Sequence, residues 1–258
     1  MGKFIRFTAQ DDGIGFLTLA NPPVNALSAE MVRQLQTVIR RISELSSIHV
    51  LIITSTEQQF CVGLDLKEQK DIDREQSMEN VTEIRDVFTE LANLPVPTIC
   101  GIQGSALGGG AELAISCDFR IMSEEGTIGF PEAGLGIIPG AGGTQRLPRL
   151  IGPSKAKYWI FTGHKFTAEE ALSDGVVDFI VDDGTVLESA IELAGEMLTS
   201  GPLALRMAKN CINRGIELSF RKGLEIEKKS FEDLINTRDW GEGLSAFLEK
   251  RTPKWLNK

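Results

Sequence analysis

Apolar positions fall first into two short runs, residues 3 to 8 and 14 to 19, on either side of Asp11-Asp12-Gly13; this pattern predicts an opening β-hairpin. After the break at Asn21-Pro22-Pro23, Met31, Val32, Leu35, Val38, Ile39, Ile42 and Leu45 recur at helical spacing behind Ser28, a side chain suited to an N-cap. Val50 to Thr54 is a short apolar run that reads as a buried strand. A helix is predicted from about Ser77 to Asn93, ending against Pro95 and Pro97, and a strand from Thr98 to Ile102 follows. Further short strands are expected at Cys117 to Met122 and Thr127 to Phe130, then a glycine-rich stretch from Gly134 to Gly143, then a last strand at Val176 to Val181. Everything after Thr185 reads as helix, with breaks at Gly201-Pro202 and near Trp240-Gly241.

Strands alternating with helices predict an α/β core that carries a helical tail. The boundary is placed near residue 200, giving an α/β core over 1–200 and a helical region over 201–258. With 258 residues, 42% of them hydrophobic, the chain has apolar material for one large domain or a core with an appendage. Strand, turn and helix units recur irregularly, without repeating residue identities.

Charge narrows the choice of partners. The net charge of -9 works against binding to phosphate backbones or anionic membranes, so neither nucleic acid nor membrane is expected as a partner. The distribution is uneven: residues 201–258 carry 12 Lys/Arg against 8 Asp/Glu, leaving about -13 on the first 200. Neighbours of opposite sign, such as Glu227 beside Lys228 and Lys229, read mostly as solvated helix faces. The long weakly charged stretch from Pro95 to Cys117 contains seven glycines or prolines and Glu112, a composition unlike a membrane span. Lys3-Phe4-Ile5-Arg6-Phe7 reads as a strand, not as a targeting segment, and a cytoplasmic location is expected. Cys61, Cys100, Cys117 and Cys211 lack C-x-x-C spacing, so reduced thiols are expected and no metal site is predicted. His49 and His164 stand apart from any Ser/Asp or Cys pattern of a hydrolase and read as surface or structural residues.

Two glycine-bearing turns each leave a strand and enter a helix. In Gly108-Gly109-Gly110-Ala111-Glu112 the first helical N–H groups lack intrahelical acceptors and can meet a developing oxyanion, with Gly109 the preferred donor. Phe60-Cys61-Val62-Gly63-Leu64 could offer the Leu64 N–H to the same oxygen. Either turn alone reads first as a plain connection, since a glycine after a strand is usually just a turn. Neither fits the G-x-x-x-x-G-K-[ST] or G-x-G-x-x-G nucleotide patterns. Glu112 lies in a mostly apolar helix start, where the simple reading is a carboxylate favoured by the helix dipole. Glu132 is a second lone acid in an apolar, glycine-flanked segment, and two such acids point to proton chemistry.

Taken together, Ala106-Leu107-Gly108-Gly109-Gly110-Ala111-Glu112-Leu113 and Pro131-Glu132-Ala133-Gly134-Leu135-Gly136-Ile137-Ile138-Pro139-Gly140-Ala141-Gly142-Gly143-Thr144 resemble the enoyl-CoA hydratase (crotonase) family. The resemblance extends to Asn25-Ala26-Leu27, to Phe60 through Lys67, and to Ala246-Phe247-Leu248-Glu249-Lys250-Arg251, so it spans nearly the whole chain. It implies a crotonase-like spiral of strand-strand-helix units with a C-terminal helical oligomerisation region. Leu64 and Gly109 match the family's oxyanion donors, Glu112 and Glu132 its two catalytic acids, and Gly140 the glycine that helps orient the active-site water. Val24, Val62, Asp65, Leu66 and Lys67 match positions around coenzyme A. Phe247 and Lys250 match positions that reach a neighbouring subunit's ligand. Pro22-Pro23 departs from the family where a lysine is often found.

The resemblance implies an acyl-CoA thioester substrate and no separate cofactor, because coenzyme A is part of the substrate. It also implies a homotrimer or homohexamer. The wording of Asn21 to Ser28, Leu94 to Thr98 and Gly201 to Ala204 is nearest to the methylglutaconyl-CoA hydratases, while short-chain hydratases share much of it. The expected reaction adds water across an α,β double bond. A double-bond isomerase is the enzymatic alternative, and an RNA-binding relative is the non-enzymatic one.

Overall fold

The computed structural model describes residues 2–258. Strands β1 (Ile5–Ala9) and β2 (Ile14–Leu19) form the antiparallel hairpin. Next come helix α1 (Ala29–Glu44), strand β3 (Val50–Ser55), helices α2 (Leu66–Lys70) and α3 (Arg74–Ala92), and strand β4 (Thr98–Ile102). The middle of the chain holds β5 (Ser105–Leu107), α4 (Gly109–Ala114), β6 (Phe119–Ser123), β7 (Thr127–Gly129) and a short 3-10 turn at Pro131–Leu135. It continues through α5 (Gly143–Ile151), α6 (Pro153–Thr162), β8 (Lys165–Thr167), α7 (Ala168–Asp174) and β9 (Phe179–Val181). Four helices complete it: α8 (Val186–Leu198), α9 (Pro202–Gly215), α10 (Phe220–Ile235) and α11 (Arg238–Glu249).

Six strands form the main sheet in the order β1-β2-β3-β4-β6-β9, with every pair after the hairpin parallel. Its central strands are buried on both faces, which is why Val50 to Thr54 is apolar without alternation. Val50 and Ile52 face α8, with Ile14, Ile99, Val186 and Ala190. Leu51 and Ile53 face the opposite layer, where Leu35 and Ile39 of α1 and Phe88 and Leu91 of α3 are buried. Ser28 caps α1 by accepting from the Met31 N–H at 3.3 Å. The spiral α/β fold expected from the sequence is the fold observed, with the helical tail following.

Several local expectations differ from the structure. α3 begins at Arg74, one turn earlier than the apolar pattern suggested, because Asp73 caps it through the Gln76 N–H. The last strand covers only Phe179–Val181; Val176 and Val177 are instead buried under α7. No break occurs at Trp240-Gly241. The chain breaks at Asn236-Thr237, where Thr237 caps α11, and Gly241 is carried inside a helix held by its capped first turn.

Within the tail, the α9 residue Lys209 reaches down to Asp118 Oδ2 at 2.7 Å and to the Val96 carbonyl at 2.9 Å. This buried cation ties α9 to the start of β4, since Asp118 also accepts from the Thr98 N–H.

A second sheet of three strands, ordered β5-β7-β8, stands beyond the main one. It places the segments after β4 and β6 side by side, outside the carboxyl ends of the parallel strands, where such sheets build their sites.

Candidate active site

Three chain segments run in matched register at that edge. Cys61 pairs with Ala106 in a parallel bridge, and Ala106 pairs with Ile128 in the β5-β7 ladder. Gly108 N–H then donates to the Gly129 carbonyl at 2.9 Å. The turns that carry the site therefore all leave from one line: Leu64 from the first segment, Gly109 and Glu112 from the second, Glu132 from the third.

The two expected oxyanion donors are both free. Leu27 bonds to both neighbours of Leu64: its N–H donates to the Gly63 carbonyl at 2.8 Å and its carbonyl accepts from Asp65 N–H at 3.2 Å. That pattern turns the Leu64 N–H to the opposite side. Among the described residues, neither the Leu64 N–H nor the Gly109 N–H has a hydrogen-bond acceptor. Their turns pack backbone against backbone, so a Cβ on Gly63 would lie 2.8 Å from Gly109 N and 2.8 Å from the Leu107 carbonyl. Gly63 also has φ of +88°, so close approach and backbone conformation both require glycine. α4 has only six residues, so these N–H groups act as two aimed donors more than through a helix dipole.

Glu112 and Glu132 are both buried, at 3% and 8% exposure, and they are held very differently. Glu112 Oε1 accepts from Ala141 N–H at 2.8 Å and from Gly143 N–H at 2.7 Å, while no donor among the described residues reaches Oε2. Burial raises its pKa, and the two N–H bonds and the Arg146 charge oppose that rise. Glu132 projects toward the head of α4: a Cβ on Gly108 would meet its Oε1 at 3.1 Å. Its Oε2 is buried without a partner. Burial, reinforced by the nearby Glu112 charge, pushes the Glu132 carboxyl up to about 7. The Gly140 N–H, in the loop between the 3-10 turn that carries Glu132 and α5, likewise has no acceptor among the described residues.

Around this centre, Val62 N–H donates to the Val24 carbonyl at 3.2 Å, so these two expected coenzyme A contacts are neighbours. Asp65 caps α2 through the Lys67 and Glu68 N–H groups, and Leu66 and Lys67 lie exposed on the adjoining lip. Phe247 and Lys250 are not part of this cluster. They lie exposed at the end of α11, which packs on α10.

Two residues that the sequence pattern did not assign to the site support it. Asn25, fully buried with φ of +53°, donates to the Gln59 and Phe60 carbonyls just ahead of the Leu64 turn. Arg146 donates to the Ala141 carbonyl at 2.9 Å. Asn25 stood in a motif noted only for resemblance, and Arg146 gave no signal beyond a charge in an amphipathic helix.

Cys61 donates to the Asn25 carbonyl, and burial pushes its thiol up to about 12, so it is inert. His49 lines a separate cavity of about 200 Å³ with Trp255 and Leu205, its Nδ1 buried without a partner rather than satisfied. Among the described residues no group of His, Cys, Asp and Glu side chains is placed to hold a metal ion, and no helix is long and apolar enough to cross a membrane.

A spiral α/β fold with paired acids beside two free backbone donors defines an enzyme of the crotonase class. The family model described as Enoyl-CoA hydratase/isomerase matches residues 9–258, and the chain belongs to that family. It is 40% identical over 261 residues to an enoyl-CoA isomerase/hydratase of Mycosarcoma maydis, covering 97% of this chain and 95% of that one. It is 41% identical over 236 residues to the mitochondrial methylglutaconyl-CoA hydratase of Mus musculus, covering 90% of this chain and 75% of the other. A crystal structure of enoyl-CoA hydratase from Bacillus anthracis superposes with a TM-score of 0.97 at 41% identity, covering 99% of this chain and all of that one.

Proposed function

We propose that this enzyme hydrates 2-enoyl-CoA thioesters, with Glu112 as the base and Glu132 as the acid. The observation that carries the assignment is the asymmetry of the pair. Glu112 has two backbone donors on one oxygen and a second oxygen free to take a proton, so it suits the ionised form. Glu132 has a buried oxygen with no donor and a carboxyl raised to about 7, so it keeps its proton near neutral pH. Glu112 removes a proton from water as oxygen attacks the β carbon. Glu132 delivers a proton to the α carbon, while the Leu64 and Gly109 N–H groups hold the enolate oxygen that forms between these events. Gly140 N–H orients the water.

In this reading Val24, Val62, Asp65, Leu66 and Lys67 receive coenzyme A, and no separate cofactor is needed. Phe220 and Phe247, at 82% and 81% exposure, belong to a helical tail too apolar for a free surface. The tail fits a homotrimer or homohexamer in which Phe247 and Lys250 reach a neighbour's substrate, in a cytoplasmic enzyme. Light scattering that shows only monomers at micromolar concentration removes this part of the reading.

The test of the reaction is loss of enoyl-thioester ultraviolet absorbance across a panel of crotonyl-CoA, longer enoyl-CoAs and 3-methylglutaconyl-CoA. The panel also ranks short-chain against methylglutaconyl substrates. A shifted alkene without a hydroxyl group would establish the isomerase instead. Tight, salt-sensitive RNA binding would support the non-enzymatic alternative, which the charge of -9 disfavours.

A further inference from the structure

We propose that Arg146 is a positioning residue for this reaction: its guanidinium clamps Ala141, whose N–H holds Glu112, and presents a half-buried positive charge to that carboxylate. The inference rests on the reading of Glu112 as the base and supplies what keeps it in that role.

Arg146 folds back over the start of its own helix. Nη1 donates to the Ala141 carbonyl at 2.9 Å, and Nη2 donates to Thr89 Oγ1 of α3 at 3.1 Å. Ala141 is thus held from two sides, by the guanidinium at its carbonyl and by Glu112 Oε1 at its N–H, 2.8 Å away. The guanidinium lies directly on Gly142, where a Cβ would fall 1.9 Å from Nη1. Arg146 N–H closes the same turn by donating to the Gly142 carbonyl at 2.8 Å. The 139–143 loop, which aims both donors at Glu112, is therefore tied to α3 through one side chain.

The charged and titratable groups around Glu112 are few. Arg146 faces it from α5 and Glu132 from the 3-10 turn, while the Cys117 thiol, just past α4, faces the guanidinium. Burial disfavours both the Glu112 carboxylate and the Arg146 cation, and each offsets part of the other's penalty. Arg146 and Glu112 make no direct ion pair, so the carboxylate's Oε2 stays open to water. Arginine suits this position because its fork reaches Ala141 and Thr89 together, whereas a lysine supplies the charge without both bonds.

The experiment measures the pH dependence of kcat and KM for crotonyl-CoA in wild type, Arg146→Met, Arg146→Lys and Thr89→Ala, with circular dichroism and thermal melts as folding checks. Arg146→Met should lower kcat by roughly 10- to 100-fold, change KM by less than about threefold, and move the acid-side limb upward by about one pH unit. Arg146→Lys should leave that limb near its wild-type position while kcat stays reduced, and Thr89→Ala should show a smaller loss of kcat. A folded Arg146→Met enzyme with the wild-type limb, or one that loses only KM, overturns the proposal. Should Arg146→Met fail to fold, wild-type kcat in both Arg146→Lys and Thr89→Ala overturns it equally. A wild-type protein inert on every enoyl-CoA overturns the hydratase reading and this proposal together, whereas an active wild type with an unmoved limb in Arg146→Met overturns only this one.

Discussion

Cys61 and Ala106 face each other across a parallel bridge, and the two unbonded N–H groups of the site, those of Leu64 and Gly109, each lie three residues further along the chain. Equal spacing from a shared rung brings two donors from distant turns together, as the Gly63 and Gly109 backbones show by their close approach. The next rung, Ala106 to Ile128, leads into both carboxylates without that equality, Glu112 lying six residues beyond Ala106 and Glu132 four beyond Ile128. Site geometry here is a consequence of sheet register.

The carboxylate pair gives the first expectation. Glu112→Gln and Glu132→Gln should each lower kcat for crotonyl-CoA hydration by at least about 100-fold with little change in KM, because general acid–base assistance is worth roughly 100- to 10,000-fold. Steady-state kinetics that left either variant within tenfold of wild type would remove that residue from the proton path.

The pH profile reflects the unequal environments. The proposed hydration needs Glu132 protonated and Glu112 ionised, so kcat/KM should form a bell with a basic limb near pH 7, the value to which burial and Glu112 push Glu132. A rate that stays flat to pH 9 contradicts the acid role of Glu132.

Stability should move with the same group. Below its ordinary pKa of 4.5, Glu132 is protonated in both folded and unfolded chains. As pH rises toward about 7 the unfolded chain releases the proton first, so the folded state loses stability, by about 3 kcal/mol once pH is well above 7. Glu132→Gln lacks this loss and should be the more stable protein at pH 8.5, with the difference vanishing by pH 4. Urea denaturation at both values checks it; equal stability of the two proteins at pH 8.5 would contradict the raised pKa.

Much of this was legible in the chain, for physical reasons that differ by residue. Two lone acids in apolar, glycine-flanked segments required an explanation wherever they stood, so Glu112 and Glu132 could be singled out. The buried runs of β3 and the heptad-like spacing of α1 reported their own burial. Other features depend on tertiary partners. β5 and β8 have three residues each and exist only because the Ile128 and Gly129 backbones of β7 lie between them. α5 starts inside a glycine-rich stretch that reads as loop, because its first N–H is satisfied by Glu112 from another segment. The roles of Asn25 and Arg146 are set by the carbonyls they meet, which sequence spacing does not reveal.

Gly63→Ala isolates the oxyanion geometry. The added methyl would sit 2.8 Å from two backbone atoms, Gly109 N and the Leu107 carbonyl oxygen, at a φ of +88° that alanine resists. The turns should part and misplace the Leu64 N–H, lowering kcat by a factor of the order expected for one lost oxyanion donor, about 100- to 1,000-fold. A chromophoric thioester such as 4-dimethylaminocinnamoyl-CoA should show a smaller red shift on binding the variant. A full shift would mean that the donors still grip the carbonyl.

Asn25 tests whether the Leu64 turn is held from behind. Its Oδ1 accepts from Asn21 N–H at 2.7 Å, and its Nδ2 donates to Ser55 Oγ at 2.7 Å and to the Gln59 and Phe60 carbonyls at 3.2 and 3.0 Å. Asn25→Gly retains the left-handed backbone and loses only these bonds, Asn25→Ala adds strain at φ of +53°, and Asn25→Asp turns an acceptor toward two carbonyls. Stability should therefore fall in the order Gly, Ala, Asp, starting from a loss of roughly 1–3 kcal/mol for the buried groups left unpaired. The same order should appear in kcat, since Gln59 and Phe60 lead directly into the oxyanion turn. Urea unfolding that finds Asn25→Asp as stable as wild type would show that the amide donor is not what fixes this segment.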